Sequence, residues 1–404
     1  MIGRLDTHQQ QTRIAFLIWV ALIIGFCING MMTDWSRSVT SSYLEGAQFW
    51  LAGADLYTNS DTDLFGFLYL PHAALLWIPF SQLPEGMIDP VWRVFTIGIF
   101  GLGCWRMFRV AEALTGGPMI LLMTILAVLP ALSTMRNGQA TLPMTGMMML
   151  GAVSLLSRHW WRAAIWLTLA VAIKPPAIAL LLVVWVIYPA LWWRMAVTFC
   201  LMLLLPFLAQ RPEYVLECYQ GFFQKVANKT QPNQFAEGNT FFAADFATFV
   251  RFLGIELSDR MALLIRVLAG GVTLLLSWYA LHRVGLVRGT LLVVAWGLTY
   301  IVLFNPGTEN NGYATVAPAM AMLAVMTLET RRPLLGTLLA LMPILITLNY
   351  ETMKFITPDN TVWFCAAVSL VFMAYLMLLT IGIIRYPWRI PGDPAALKTA
   401  PDSR

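Results

Sequence analysis

Long apolar runs separated by short polar stretches dominate the pattern of this chain. Such runs lie at about 14–32, 65–83, 91–108, 118–134, 139–157, 160–174, 176–193, 194–209, 261–281, 289–305, 313–328, 333–348 and 361–384. Runs of about 17 or more apolar residues can cross a bilayer as helices, whereas the strands of a membrane barrel would alternate between apolar and polar positions. The pattern therefore predicts an all-α polytopic membrane protein.

Composition points to the same class. Hydrophobic residues make up 59% of the 404 residues and charged residues only 12%, with a mean hydropathy of +0.69. A soluble domain carries about twice that share of charged residues. The five cysteines show no framework spacing, so we expect free thiols and no metal site. The net charge of +5 comes from Lys and Arg clusters between the runs, which indicate membrane orientation and not nucleic-acid binding.

The basic clusters predict that both termini are cytoplasmic, which requires an even number of spans. We therefore predict about twelve (12–13) transmembrane helices, with the run 65–83, broken by Pro71 and Pro79, entering the membrane without crossing it. The first run is too long for a signal peptide and is expected to remain as an anchor. The predicted organisation is a cytoplasmic leader (1–13), one transmembrane domain (14–389) with outer loops at about 33–90, 210–260, 305–312 and 350–360, and a disordered cytoplasmic tail (390–404).

The first outer loop is unusually acidic. Seven carboxylates lie between Asp34 and Asp89, and residues 43–56 mix apolar and polar positions as a helix at the membrane surface would. Other polar groups collect in the predicted outer loops, namely Arg136 to Gln139, Lys174 and the stretch from Asn305 to Tyr313. Polar groups are costly near a membrane, so this clustering places the functional site on the outer face.

Each candidate also has a purely structural interpretation. Asp34 lies just beyond a span and resembles a solvated helix end, while Lys174 can extend to the interface or bind a buried partner. Arg136 can anchor a turn closed by Gly138, and a histidine such as His72 is more often a packed residue than a base. No Gly-rich phosphate loop, His-Glu-x-x-His or Gly-x-Ser-x-Gly motif occurs, so nucleotide binding has no support.

Four short motifs together resemble glycosyltransferase family 87. In chain order they are Tyr43 with Gly53-Ala54-Asp55-Leu56-Tyr57, Tyr69-Leu70-Pro71, Asn137-Gly138-Gln139 and Ile173-Lys174-Pro175. Members of this family are membrane enzymes of the GT-C class that use polyprenyl-phosphate sugars. The resemblance covers roughly the first half of the chain and implies a GT-C-like helical bundle whose outer loops form the active site.

The resemblance also implies an activity. We expect a glycosyltransferase of the bacterial inner membrane that moves a sugar, with mannose as the first choice, from a polyprenyl-phosphate donor to a glycolipid or envelope glycan acceptor. Transfer would invert the anomeric centre on the periplasmic face and would use no cofactor or metal. The expected residues are a general base, Asp34 or Glu45; donor-phosphate ligands Lys174, Arg136 and Gln139; and sugar or acceptor contacts Tyr69, His72, Asn239, Glu309, Asn310 and Asn311.

Two departures from the family pattern keep alternatives open. Asp34 lies nine residues before Tyr43, further than is usual for the family acid, so Glu45 competes with it as the base. The histidine expected in a later outer loop is absent, and Glu309, Asn310 and Asn311 occupy its place.

Two other functions are alternatives to the enzyme. A secondary transporter or flippase for an amphipathic or lipid-linked solute would show internal repeats and ionisable residues at mid-span, and neither is visible here. An assembly or scaffold protein of an envelope complex would not need the acidic first loop.

Overall fold

The computed structural model describes residues 2–32, 38–57, 67–229, 243–330, 332–353, 355–356 and 363–387, and every regular element within them is helical. The α-helices are α1 (Ile2–Met32), α2 (Thr40–Ala52), α3 (Pro71–Ser81), α4 (Glu85–Thr115), α5 (Ile120–Val128), α6 (Leu132–Arg136), α7 (Thr141–Leu156), α8 (Trp160–Ile173), α9 (Ile178–Ile187), α10 (Trp192–Leu204), α11 (Pro212–Lys229), α12 (Phe246–Phe252), α13 (Asp259–Val284), α14 (Leu286–Phe304), α15 (Ala317–Glu329), α16 (Pro333–Met353) and α17 (Trp363–Ile381). Short 3₁₀ turns join several of them, including Pro175–Ala177 and Asn310–Thr315.

Six helical segments in this part of the chain are long and apolar enough to cross a membrane. They are Thr7–Met32, Glu85–Thr115, Pro189–Leu208, Asp259–Val284, Leu286–Phe304 and Trp363–Ile381. Six shorter apolar segments accompany them: Ile120–Arg136, Thr141–Leu156, Trp160–Ile173, Pro175–Ile187, Ala317–Glu329 and Pro333–Asn349. The all-α polytopic membrane class is thus confirmed, whereas the count of twelve spans stays a prediction.

Some predicted boundaries differ from the observed ones. The helix α1 begins at Ile2, so the polar leader is continuous with the first span. The helix α4 begins at Glu85, after Pro84, which places Asp89 inside a helix and not in the acidic loop. A preceding proline and an acidic first turn both favour a helix start there. The helix α16 extends to Met353, into the loop predicted at 350–360, and the predicted tail lies outside the described residues.

The described residues between α1 and α4 include two short helices. The helix predicted at 43–56 is present as α2, which ends at Gly53 in the left-handed conformation (φ 66°), and its position at the membrane surface stays a prediction. The helix α3 packs against α2 and has 11 residues, so it is about 17 Å long and shorter than the hydrocarbon core of about 30 Å. Its depth in the membrane stays a prediction.

The core is built around α7, which packs between α4 and α8, and around α14 and α15, which are buried almost throughout. Glycines allow the backbones of α4 and α7 to approach closely. A Cβ atom added to Gly103 would lie 2.5 Å from the Gly146 carbonyl oxygen, and one added to Gly146 would collide with the Ile99 carbonyl group.

This crossing gives a test of the fold. We expect Gly146→Leu to destabilise the bundle by about 1–3 kcal/mol or more, because overpacking pushes two backbones apart. Gly98→Leu is the matched control, because a Cβ atom at this position of α4 meets nothing within 4 Å. Thermal unfolding in detergent should separate the two variants, and an equal loss of stability in both would contradict the crossing.

Candidate functional site

Four side chains form a continuous hydrogen-bonded row, called here the polar row. The Lys174 ammonium donates to Thr141 Oγ1 (2.6 Å), and this hydroxyl donates to Gln139 Oε1 (3.4 Å). Gln139 Nε2 then donates to Glu309 Oε2 (3.0 Å). The structure therefore brings together three residues predicted from sequence, Lys174, Gln139 and Glu309, and adds Thr141, which was missed because it opens an apolar run.

Local sequence explains how the row is presented. The helix α8 ends at Ile173, and Lys174 is extended (φ −150°, ψ 117°) because the residue before a proline disfavours helical geometry. Gly138 adopts a left-handed φ of 65° and turns the chain between α6 and α7, which brings Gln139 to the row. Glu309 lies immediately before the 3₁₀ turn at Asn310–Thr315.

Two tyrosines lie beside the row. The Tyr43 hydroxyl oxygen accepts hydrogen bonds from Tyr69 Oη (3.0 Å) and from the Ala140 amide (3.0 Å). Burial raises the pKa of Tyr43 to about 12, and the Glu309 carboxylate adds to the rise. Tyr43 is therefore protonated at neutral pH, and its oxygen already accepts two hydrogen bonds, so its own O–H remains as a donor.

An apolar cavity of about 350 Å³ adjoins these groups and is called here the aromatic cavity. Its wall includes Ala140, which lies between Gln139 and Thr141 in the chain, and Ile173, which precedes Lys174. The other lining residues are mostly aromatic: Tyr43, Phe67, Tyr69, Ala73, Leu76, Trp77, Phe80, Trp92, Phe95, Ile99, Met147, Trp166 and Leu169. The site thus joins an apolar enclosure to a polar edge that carries one ammonium and one carboxylate group.

A buried ion pair fixes the turn between α6 and α7, which carries Gln139 of the polar row. Arg93 Nε donates to Asp89 Oδ2 (2.5 Å), and the two residues are only 2% and 3% exposed. Arg93 Nη1 also donates to the carbonyl oxygens of Met135 (2.5 Å) and Arg136 (2.7 Å). Sequence reasoning missed Arg93, although its i, i+4 spacing from Asp89 on one helix was the available signal.

The remaining Asp89 oxygen ties the start of α2 to the same point. It accepts hydrogen bonds from Thr40 Oγ1 (2.8 Å) and Ser38 Oγ (3.0 Å). On the same helix, Trp92 Nε1 donates to the Gly138 carbonyl oxygen (2.6 Å). The helix α4 therefore holds both α2 and the turn before α7.

Asn311 and Asn310 join the loop after α14 to neighbouring segments. Ser133 Oγ donates to Asn311 Oδ1 (2.5 Å), and Thr134 Oγ1 donates to the Asn311 carbonyl oxygen (2.7 Å). Asn310 Oδ1 accepts a hydrogen bond from Asn349 (3.5 Å). These contacts give both asparagines a structural role at the edge of the site.

Other predicted residues lie apart from the row or outside the described chain. Glu45 is half-buried on α2, two residues after Tyr43 and hence not on the same helix face. His72 is 1% exposed, and burial lowers its pKa to about 4, against a smaller opposing effect of the Ala172 backbone. Arg136 is exposed and lines a different groove, beside α1. Asp34 and Asn239 lie outside the described residues.

Within the described residues, no group of three or more His, Cys, Asp or Glu side chains could hold a metal ion. The described part of the site offers one cation, one carboxylate, hydroxyl and amide groups, and an apolar wall.

The profile of glycosyltransferase family 87 matches residues 67–306, which is more than half of the chain and includes most of this site. The chain belongs to glycosyltransferase family 87. It is therefore a membrane glycosyltransferase, and membership favours the enzyme over the transporter. A comparison with curated protein sequences gives no match.

Two solved structures show similarity to this family 87 chain. One is ArnT from Cupriavidus metallidurans bound to undecaprenyl phosphate, at 14% identity and a TM-score of 0.38, covering 91% of this chain and 78% of that one. The other is the apo state of the same protein, at 14% identity and a TM-score of 0.35, covering 91% and 77% respectively.

The buried ion pair predicts a contrast between two arginines of α4. We expect Arg93→Gln to cost about 3–5 kcal/mol, because it leaves Asp89 buried without its counter-charge. Arg109→Gln should cost only about 1 kcal/mol, because Arg109 is 46% exposed and its buried partner Glu112 also accepts hydrogen bonds from the Met119 and Ile120 amides.

Thermal unfolding measures the contrast, and hydrogen exchange should show faster exchange at residues 135–140 in Arg93→Gln only. Equal stability of the two variants, with unchanged exchange, would show that the Asp89–Arg93 pair does not hold this segment.

Proposed function

We propose that this glycosyltransferase moves a sugar from a polyprenyl-phosphate donor to an acceptor hydroxyl at the polar row. The observation that carries the proposal is the aromatic cavity, whose wall includes Ile173 and Ala140, the chain neighbours of Lys174 and of its hydrogen-bond partner Thr141. A polyprenyl-phosphate sugar has the matching polarity, with an apolar chain at one end and a charged phosphate next to the sugar. If the cavity encloses the first part of the polyprenyl chain, apolar surface of the donor is removed from water and the phosphate is oriented.

Lys174 is the proposed ligand of the donor phosphate. Its ammonium group is half-buried, and a cation in a poorly solvated site stabilises a nearby anion more than it would in water. Tyr43 is the second ligand, because its O–H lies at the wall of the cavity and is left to donate. Gln139 then positions Glu309. Arg136 was expected as a further phosphate ligand, and the proposal leaves it out because it lines a groove on α1.

The proposed reaction is a single displacement. A carboxylate base takes the proton of the acceptor hydroxyl as that oxygen bonds to the anomeric carbon. The bond from the anomeric carbon to the phosphate oxygen breaks at the same time, and the polyprenyl phosphate leaves with the electron pair. Lys174 offsets the charge that develops on the leaving phosphate, and attack from the opposite face inverts the anomeric centre.

Asp34 is the proposed base, with Glu45 as the alternative. Asp34 lies four positions before Ser38 in the sequence. Ser38 donates a hydrogen bond to Asp89, whose partner Arg93 holds the turn before Gln139. Glu45 has weaker support because it does not share the face of α2 that carries Tyr43.

The donor sugar and the acceptor complete the proposal. Glu309 and Tyr69 are the proposed sugar-hydroxyl ligands at the mouth of the cavity, with Asn239 and Asn310 as further candidates. Mannose is the proposed sugar, and a glycolipid or envelope glycan is the proposed acceptor. The reaction would take place on the periplasmic face of a bacterial inner membrane, with both termini in the cytoplasm.

A transfer assay tests the reaction and its base. In proteoliposomes supplied with radiolabelled polyprenyl-phosphate mannose and host lipid extract, the wild-type protein should form a labelled product. We expect Asp34→Asn to lower turnover by about 10²–10⁴-fold, the range for loss of a general base, and Glu45→Gln to have little effect. Loss only in Glu45→Gln would transfer the role of base to that residue. No transfer from any polyprenyl-phosphate sugar by folded protein would overturn the proposed function.

A second assay tests the phosphate ligand. Lys174→Met should lower kcat by about 10²–10³-fold, because an electrostatic contact to the leaving group is lost. Lys174→Arg keeps the charge and should recover much of the rate. If the arginine variant were as inactive as the methionine variant, with both folded, the hydrogen bond to Thr141 and not the charge would be the important feature.

A further inference from the structure

A second groove, called here the α1 groove, includes Arg136, the last residue of α6. It has a volume of about 390 Å³ and shares no lining residue with the aromatic cavity. Its lining residues are Ile18, Ala21, Leu22, Gly25, Phe26, Asn29 and Arg136. All except Arg136 come from α1, at the spacing of one helix face.

The length of the α1 groove matches one leaflet of a bilayer. From Ile18 to Asn29 the helix advances 11 residues, or about 16 Å at 1.5 Å per residue. This is about half of a hydrocarbon core of about 30 Å. The helix α1 is a long apolar segment with most of its surface unburied, and its flanking Leu17 and Ile24 are exposed. The groove therefore faces the acyl chains of one leaflet.

A positive charge marks the end of the α1 groove where the headgroups of that leaflet would lie. Arg136 is exposed, and its guanidinium group makes no hydrogen bond or ion pair with any residue that the structure describes. Its backbone carbonyl oxygen accepts a hydrogen bond from Arg93. A guanidinium group donates two parallel hydrogen bonds to two oxygens of a phosphate. The apolar side chains of a partner helix would offer no such acceptor oxygens.

We propose that the α1 groove binds an acyl chain of an anionic phospholipid and that Arg136 binds the phosphate of that lipid. The site is distinct from the donor site and does not depend on the proposed reaction. Arg136 and Gln139 are three residues apart, so their Cα atoms are at most about 11 Å apart. A bound lipid would contact the side chain of Arg136, whose backbone carbonyl oxygen is bound by Arg93. Both contacts would then hold the turn before Gln139.

Photo-crosslinking in nanodiscs tests the site without reference to activity. The probe is phosphatidylglycerol with a diazirine in one acyl chain, and the comparison probe is diacylglycerol with the same chain. We expect phosphatidylglycerol to label residues 18–29 in the wild-type protein more strongly than diacylglycerol does. Arg136→Gln should lower that labelling by about tenfold, the effect of losing a hydrogen bond to a charged group.

Two matched pairs of variants complete the design. Gly25→Leu fills the groove without a clash, because a Cβ atom there meets nothing within 4 Å, and it should block labelling. Gly271→Leu, at a similarly open position on α13, should leave labelling unchanged. Arg211→Gln removes an exposed cation away from the groove and should also have no effect.

Thermal unfolding provides the second readout. Added phosphatidylglycerol should raise the melting temperature of the wild-type and Gly271→Leu proteins more than that of Arg136→Gln, because a ligand of the folded state stabilises it. Equal labelling by diacylglycerol, labelling that is insensitive to Arg136→Gln, or crosslinking of α1 to another polypeptide would each overturn the proposal.

Discussion

The buried ion pair between Asp89 and Arg93 is the interaction on which the site depends. Burying two charges is costly, and the cost is offset here because both charged groups make further hydrogen bonds. Asp89 binds the hydroxyl groups at the start of α2, and Arg93 binds the carbonyl groups at the end of α6. Three segments that are far apart in sequence are thereby fixed at one point. A Cβ atom on Gly30 of α1 would collide with the Asp89 carboxylate, so α1 also packs directly on the pair.

Fixing these segments determines where the charges of the site lie. The turn held by Arg93 places Gln139 against Glu309 and the Ala140 amide against Tyr43. The following residue, Thr141, accepts the hydrogen bond of Lys174. The ammonium and carboxylate groups are thus separated by two neutral side chains and do not neutralise each other directly.

Sequence patterns predicted the elements of this protein better than their contacts. The apolar runs predicted an all-α membrane protein, and the pattern at 43–56 located α2 to within a few residues. Lys174, Gln139 and Glu309 stood out because polar groups at the ends of apolar runs are conspicuous. Thr141 and Arg93 did not, since a lone hydroxyl or cation within an apolar run resembles an ordinary span residue. The contact between Gln139 and Glu309 joins positions 170 residues apart, and no local pattern encodes it.

Arg136 shows why proximity in the sequence does not predict that two side chains point to the same site. It lies three residues before Gln139, and the sequence predicts both as ligands of the donor phosphate. The helix α6 ends at Arg136, and the left-handed Gly138 reverses the chain before Gln139. The reversal directs Gln139 toward the polar row, whereas Arg136 lines the groove on α1. One short turn therefore presents polar groups to two different apolar surfaces. A ligand in the α1 groove would therefore act on the same backbone that positions Gln139.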